Sequence, residues 1–401
     1  MRPDGDGGED KRAAVNPVLY VGPFVSSFDR LSMAPLLLPI ALDFHATLAQ
    51  VVVVATLYYL LAGLTQPLYG VLSDRFGRVP VIRGSLVLVM VGSIVSATAQ
   101  SLLWLIVARV ITGAAIGAII PASLVYVADM YPYRLRQRAI VNVSVAVAIG
   151  NSAGLLGSGL LVTFVSWRAP FAITALLAGG LAVLMRGLPE PPRAGHEGVA
   201  TRLQRVGQSG WARFVITLAI ADGVVFQGLT TYFAPALQSQ GVTAAVAGLV
   251  TAGYGFATVV AGQAVRRSPI GRSAPMLSAA GASMLAVGYL FAAASPGVAG
   301  ILVASLLAGA AYAFLHSSLQ TWATEVVPEA RGTATALFAL ALFIGAAAAT
   351  GVAAHPAERH DYPLIFLIGG VCSVLIGVVA TFSMLRYQRD LPAPQFPATP
   401  M

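Results

Sequence analysis

Charge is scarce in this chain. Only 10% of its 401 residues are Asp, Glu, Lys or Arg, against about 25% in soluble globular proteins. Hydrophobic residues make up 57% and the mean hydropathy is +0.80. So little charge cannot cover a water-facing surface, and the chain reads as a polytopic membrane protein. Cysteine is almost missing. Cys372 stands alone in an apolar run, which excludes an intrachain disulfide and any cysteine-based metal site. Lys11 is the only lysine, so no G-x-x-x-x-G-K-[ST] phosphate loop exists and no ATPase of that type is built in. The formal net charge of +8 is dispersed over many short loops. No basic stripe on a soluble domain forms, which argues against a nucleic-acid partner. No second histidine lies at ligand spacing from His316, so neither a metal nor another cofactor is expected.

What the chain has instead is long apolar runs, each near the ~20 residues a spanning helix needs. They fall at about 18–42, 50–72, 80–100, 102–128, 139–163 and 169–187, then 212–237, 243–265, 274–294, 297–324, 333–354 and 362–386. The first run lacks a clear A-x-A cleavage site and is read as a retained helix, not a signal peptide. A polar linker, 188–210, holds Pro189, Pro191, Pro192 and several arginines. The expected organisation is a tail 1–16, a bundle 17–187, the linker, a bundle 211–387 and a tail 388–401. Both tails are expected to be disordered. Arg168 and Arg359 fall in loops on one side, Arg30 and Arg109 fall inside helices, and every other basic residue falls on the opposite side. The positive-inside rule then puts both termini in the cytoplasm. The excess of arginine over lysine points to a bacterial genome rich in G and C, and so to a bacterial inner membrane.

One charged stretch punctuates the first half: Gly70-Val71-Leu72-Ser73-Asp74-Arg75-Phe76-Gly77-Arg78. Asp74 sits among Arg75, Arg78 and Arg83, and Gly70 and Gly77 are expected to allow a sharp turn and a close helix approach. The stretch resembles the G-x-L-x-D-R-x-G-R signature between helices 2 and 3 of the major facilitator superfamily. Matching positions are Gly70, Leu72, Asp74, Arg75, Gly77 and Arg78. The halves also look like copies. Asp29 corresponds to Asp222, Gly70 to Gly262, and Asp129-Met130-Tyr131-Pro132 to Glu325-Val326-Val327-Pro328. In the second copy Arg266 stands where Asp74 would be. The resemblance implies an all-α integral membrane fold, twelve transmembrane helices in two pseudo-symmetric six-helix bundles. It places the substrate cavity between the bundles, lined by helices 1, 4, 7 and 10.

Several polar residues interrupt the apolar runs. Asp29 and Arg30 lie midway along helix 1, where a buried charge is costly and normally faces a cavity or a partner. Arg109, Gly113 and Gly117 on helix 4 resemble the R-x-x-x-G-x-x-x-G motif implicated in proton coupling in drug:proton antiporters. Arg109 is expected to act on a nearby carboxylate, first of all Asp29, which would carry the proton. Asp222 is the sole deep acid of the second half, followed by Gln227 and Tyr232. Tyr312, His316 and Gln320 recur every four residues, one polar stripe on helix 10. The expected cavity set is Asp29, Arg30, Asp222, Gln227, Tyr232, Tyr312, His316 and Gln320, with Asp29, Arg109 and Asp222 coupling protons. Resemblance further implies that Asp74, Arg78 and Asp129 latch the halves, with Asp74 near the start of helix 11.

Gly150, Gly154 and Gly159 partly fit the antiporter motif G-x-x-x-G-P-x-x-G-G, with Leu155 replacing its proline. Trp167, Arg168 and Phe171 match W-R-x-x-F at the entry to helix 6. Gly150-Asn151-Ser152-Ala153-Gly154 also satisfies G-x-S-x-G, but that elbow needs a strand-to-helix turn. An intramembrane serine hydrolase is therefore a remote alternative, and the chain is not expected to be an enzyme. The expected function is proton-coupled export of small amphipathic molecules by a monomer in the lipid bilayer, by alternating access. Its rival is a symporter or uniporter importing a sugar, organic acid or lipid-like solute.

Overall fold

The computed structural model describes residues 16–191, 198–267 and 273–390, and every regular element among them is helical. The expected disorder of the tails falls on 1–15 and 391–401, outside the described residues. So do 192–197 of the linker and 268–272. Twelve helical segments follow one another: α1 (Val18–Asp43), α2 (Leu48–Leu64 and Gln66–Phe76), α3 (Arg78–Ala97), α4 (Leu102–Met130), α5 (Tyr133–Phe164) and α6 (Ala169–Leu184). The second half holds α7 (Gly210–Gln238), α8 (Ala244–Arg267), α9 (Ala274–Ala294), α10 (Val298–Glu325), α11 (Arg331–Glu358) and α12 (Tyr362–Asp390). Eleven are long and apolar enough to cross a bilayer, and α2 is the twelfth if its two bent pieces are one span.

Local chemistry sets the ends and the breaks. Thr47 and Gln50 form a reciprocal capping box at the start of α2. Ser101 and Ser209 cap α4 and α7. The 45° bend in α2 falls at Thr65. There the Thr65 hydroxyl donates to the Leu61 and Ala114 carbonyls at 2.8 and 2.9 Å. Pro67, next along, has no N–H to continue the ladder. Two helices widen at corresponding depth: α7 has a π turn at Val224–Gly228 and α10 one at Tyr312–His316. Such turns release a backbone carbonyl from the regular ladder. Tyr289 of α9 donates to the carbonyl of Val225 at 2.5 Å.

Helices α1–α6 and α7–α12 pack as two bundles, which meet through α2 against α11 and α5 against α8. Thr56 of α2 and Thr350 of α11 share a hydrogen bond of 3.0 Å. Ser152 of α5 donates to the Ala252 carbonyl of α8 at 2.9 Å. Glycine permits the closest approaches. A side chain at Gly154 would strike the Phe28 backbone of α1, and one at Gly113 the Tyr58 backbone of α2. At the end away from the arginine-rich loops, Gln238 of α7 donates to the Pro35 carbonyl of α1 at 2.9 Å.

The structure adds to or corrects several expectations. Gly77 makes the turn, at φ 103°, but Gly70 sits within a helix with open space where a side chain would stand. Its neighbours here require no glycine. Within the polar linker, Val199–Gln208 is helical. Val199, Leu203 and Val206 recur at helical spacing, and buried Val206 packs with Val327, Ala330 and Ala334. Helix α12 continues to Asp390, past the expected tail boundary at 388. Arg83 points away from Asp74, donating to the Ala182 carbonyl of α6 at 3.3 Å.

Candidate functional site

Three polar centres occupy the molecule. The first is Asp29 on α1. Both Arg109 Nη1 and Nη2 donate to its oxygens at 2.8 Å, and Tyr58 Oη adds a third donor at 3.0 Å. The pair is sealed, with side chains 0% and 1% exposed. Aromatic faces complete the seal, the Arg109 guanidinium lying 4.6 Å from the Tyr58 ring centre and 5.0 Å from that of Phe171. A bidentate fork of this kind recovers in hydrogen bonds what burial costs the two charges. The W-R-x-x-F motif thus serves two ends. Phe171 covers Arg109, while Trp167 and Arg168 donate to Asp43 at 3.0 and 3.1 Å.

The second centre joins Asp222 of α7 to His316 of α10, Oδ2 to Nδ1, at 2.6 Å. The other oxygen of Asp222 is buried without a partner. Tyr312 stacks on His316 at 4.1 Å, while Phe226 and Phe338 meet it at steeper angles. Both residues of the pair lie against π turns, which bring the two side chains together across the α7–α10 contact.

Between these centres lies a cavity. Its polar lining is Arg30, Tyr59, Asn151, Gln227, Thr230, Thr231, Thr251, Tyr254 and Tyr312. Its apolar lining includes Leu31, Met33, Leu155, Phe226 and Phe233. Helices α1, α2, α5, α7, α8 and α10 contribute, and α4 does not, because Arg109 turns toward Asp29 and Phe171.

Of the expected cavity set, Arg30, Gln227 and Tyr312 line this space. Asp29, Asp222 and His316 stand behind the wall, each held in a pair. Tyr232 is fully buried and donates to the Thr350 carbonyl. Gln320 is exposed, about one turn beyond the π turn and outside the lining. Tyr59, Asn151, Thr230, Thr231, Thr251 and Tyr254 were not anticipated. Their signal in the sequence is hydroxyl and amide groups inside apolar runs, shared by many residues that merely bond their own helix. Ser152 has spent its hydroxyl on α8, and the G-x-S-x-G match lies wholly within α5.

At the arginine-rich end, Arg78 bridges Asp74 at 2.8 Å and Asp129 at 3.2 Å. The other Asp74 oxygen accepts from Arg202 of the linker helix at 2.7 Å, so Asp74 reaches the region before α11 through that helix. Glu190 accepts from the Arg78 and Val79 backbone N–H groups at 2.5 and 2.9 Å. It caps α3 as an anion at a helix N-terminus should. Glycine suits position 77 because its φ of 103° is one that side chains rarely adopt. Arg75 lies over Phe76, at 5.3 Å from its ring centre. Gly150 lets the Phe24 carbonyl of α1 approach α5.

The sequence profile of the Major Facilitator Superfamily matches residues 19–350 and 239–399. A triacylglyceride transporter of Mycolicibacterium smegmatis is 34% identical over 45% of the chain and 31% of its own length. The chain therefore matches about a third of that relative. The MFS-type transporter YwfA of Bacillus subtilis is 25% identical over 92% of both chains. The fungal efflux pump dotC of Dothistroma septosporum is 29% identical over 57% of this chain and 40% of its own. Among solved structures, a bacterial homologue of the lysosomal transporter Spinster, inward-facing and occupied, superposes with TM-score 0.75, at 19% identity over 95% of this chain and 100% of its own. A D-xylose-proton symporter superposes with TM-score 0.74, at 18% identity over 92% and 96%. The twelve-helix architecture, the signature around Asp74 and these matches lead to one conclusion: the chain belongs to the major facilitator superfamily, with the many membrane-crossing helices of that fold.

Proposed function

We propose that the protein exports small amphipathic molecules in exchange for protons, by alternating access, as a monomer in a bacterial inner membrane. The arginine-rich end and both termini face the cytoplasm, in keeping with the distribution of basic residues. The observation that carries the reading is the His316–Asp222 contact of 2.6 Å immediately behind the cavity wall. An imidazole and a carboxylate are both groups that can take up and release a proton in the course of transport. Asp29 offers no such vacancy, because a proton there must displace Arg109 or Tyr58. The coupling role expected of Asp29 passes to Asp222 and His316, while Asp29 and Arg109 hold α1 to α4. Tyr312 of α10 stacks directly on His316, and Tyr254 of α8 and Arg30 of α1 line the cavity on the other side of that wall. Phe226 and Tyr312 belong to both the cavity wall and the surroundings of His316, so cargo and proton report to each other through them. Export agrees with the partial antiporter motifs at Arg109 and Gly150, and with relatives named an efflux pump and triacylglyceride transporters.

The test is substrate-driven proton movement in pyranine-loaded proteoliposomes, screened with cationic, neutral and anionic amphiphiles. Active compounds should move protons opposite to themselves, and Asp222→Asn and His316→Gln should abolish that movement. Full proton movement in both variants, or protons travelling with the compound, would overturn the reading.

A further inference from the structure

Among the described residues the buried charged groups of the interior come in pairs, Arg109 with Asp29 and Asp222 with His316. Arg30 has no such partner. Among the described residues no carboxylate pairs with it. Its one hydrogen bond is a long one, from Nη2 to Asn151 Oδ1 at 3.4 Å, and its Nε is buried with no acceptor. A half-buried guanidinium that lines a cavity and has no anionic partner is matched to an anion entering that cavity, and in a transporter the cargo can supply the missing charge.

The rest of the wall specifies more. Hydroxyl protons of Thr230 and Thr231 are spent on the Phe226 and Gln227 carbonyls, at 2.9 and 2.7 Å. These threonines retain accepting lone pairs only. Gln227 Oε1 is also buried without a donor. The lining thus offers accepting oxygens at Thr230, Thr231 and Gln227 beside the donors of its tyrosines and of the Gln227 amide. Around both lie Met33, Leu155, Phe226 and Phe233, which suit a flat apolar body.

We propose that the cargo is an organic anion. It carries a carboxylate, sulfonate or phosphate ester held by Arg30, an apolar body among the aromatic residues, and a hydroxyl or amide N–H directed at Gln227. A guanidinium fork is matched to such oxygens in a way no neutral or cationic head can be. The proposal rests on the reading of this cavity as the transport site, and does not depend on proton coupling or direction.

The experiment is equilibrium binding to the full chain in phosphatidylcholine nanodiscs, whose zwitterionic lipid keeps anionic headgroups out of competition. The probes are radiolabelled aryl carboxylates and aryl sulfonates of one to three rings, each with its carboxamide or sulfonamide and its amine as competitors. Empty nanodiscs give the blank. Anions should bind saturably, with their neutral and cationic partners at least tenfold weaker. Arg30→Gln should erase that preference, and Arg30→Lys should restore part of it. The preference within the wild-type protein stands as a test even if a variant fails to fold. Absence of saturable anion binding across the panel, or equal binding of amides or amines, would overturn the proposal. Charge-selective binding without proton movement in liposomes would instead overturn the coupling while leaving this inference standing.

Discussion

At the scale of single residues, the Asp29–Arg109 pair shows how far a sequence reading goes. A charge inside an apolar run is visible at once, and the need to neutralise it names the partner. Tyr58 and Phe171 were not legible in that role, because aromatic residues are common in spanning helices and nothing in the spacing marks the two that cover a guanidinium. The pair also makes a quantitative prediction. Removing one member leaves the other charge buried and alone, which costs about 3–5 kcal/mol. Removing both leaves a merely polar defect. Unfolding in detergent should therefore show Arg109→Gln strongly destabilised, and the double variant Asp29→Asn with Arg109→Gln less so than either single change. A double variant as unstable as the sum of the two would mean that the residues act separately.

At the scale of elements, the spanning helices were legible because apolar length is a strong signal, and their breaks were not. The π turns of α7 and α10 depend on partners from other helices, Tyr289 on Val225 among them. No local sequence preference encodes such a contact. The linker helix was missed for a different reason. Its polar composition and the neighbouring prolines resemble coil, and only Val199, Leu203 and Val206 betray a face. Since Val206 is 1% exposed against Val327 and Ala330, that contact should hold the helix more than the partly exposed Arg202–Asp74 bridge, whose class contributes about 1 kcal/mol or less. Hydrogen exchange should show Val206→Asp losing protection throughout 199–208, whereas Arg202→Gln keeps most of it. Equal loss in both would assign the anchoring to the salt bridge instead.

At the scale of the whole molecule, an anion at Arg30 and a proton at His316 attract each other, so simple electrostatics would load them together. The proposed exchange requires an opposing influence, and the proposal assigns it to the shared wall of Phe226 and Tyr312. A cargo that presses on Phe226 and Tyr312 presses on the packing around the histidine. Export of a monovalent anion against one proton then moves two charges in the same electrical sense. Each charge is driven by about 2.3 kcal/mol per 100 mV of membrane potential, so together they draw on roughly 5 kcal/mol, about three decades of concentration ratio. In proteoliposomes oriented with the arginine-rich end inside, an inside-negative potassium diffusion potential set with valinomycin should accelerate efflux of a bound aryl carboxylate and raise its final gradient. Collapsing the potential at constant pH should remove most of that gain. Potential-independent efflux, or inward accumulation of the probe, would mean that anion and proton travel together as a neutral pair and that the wall does not keep them apart.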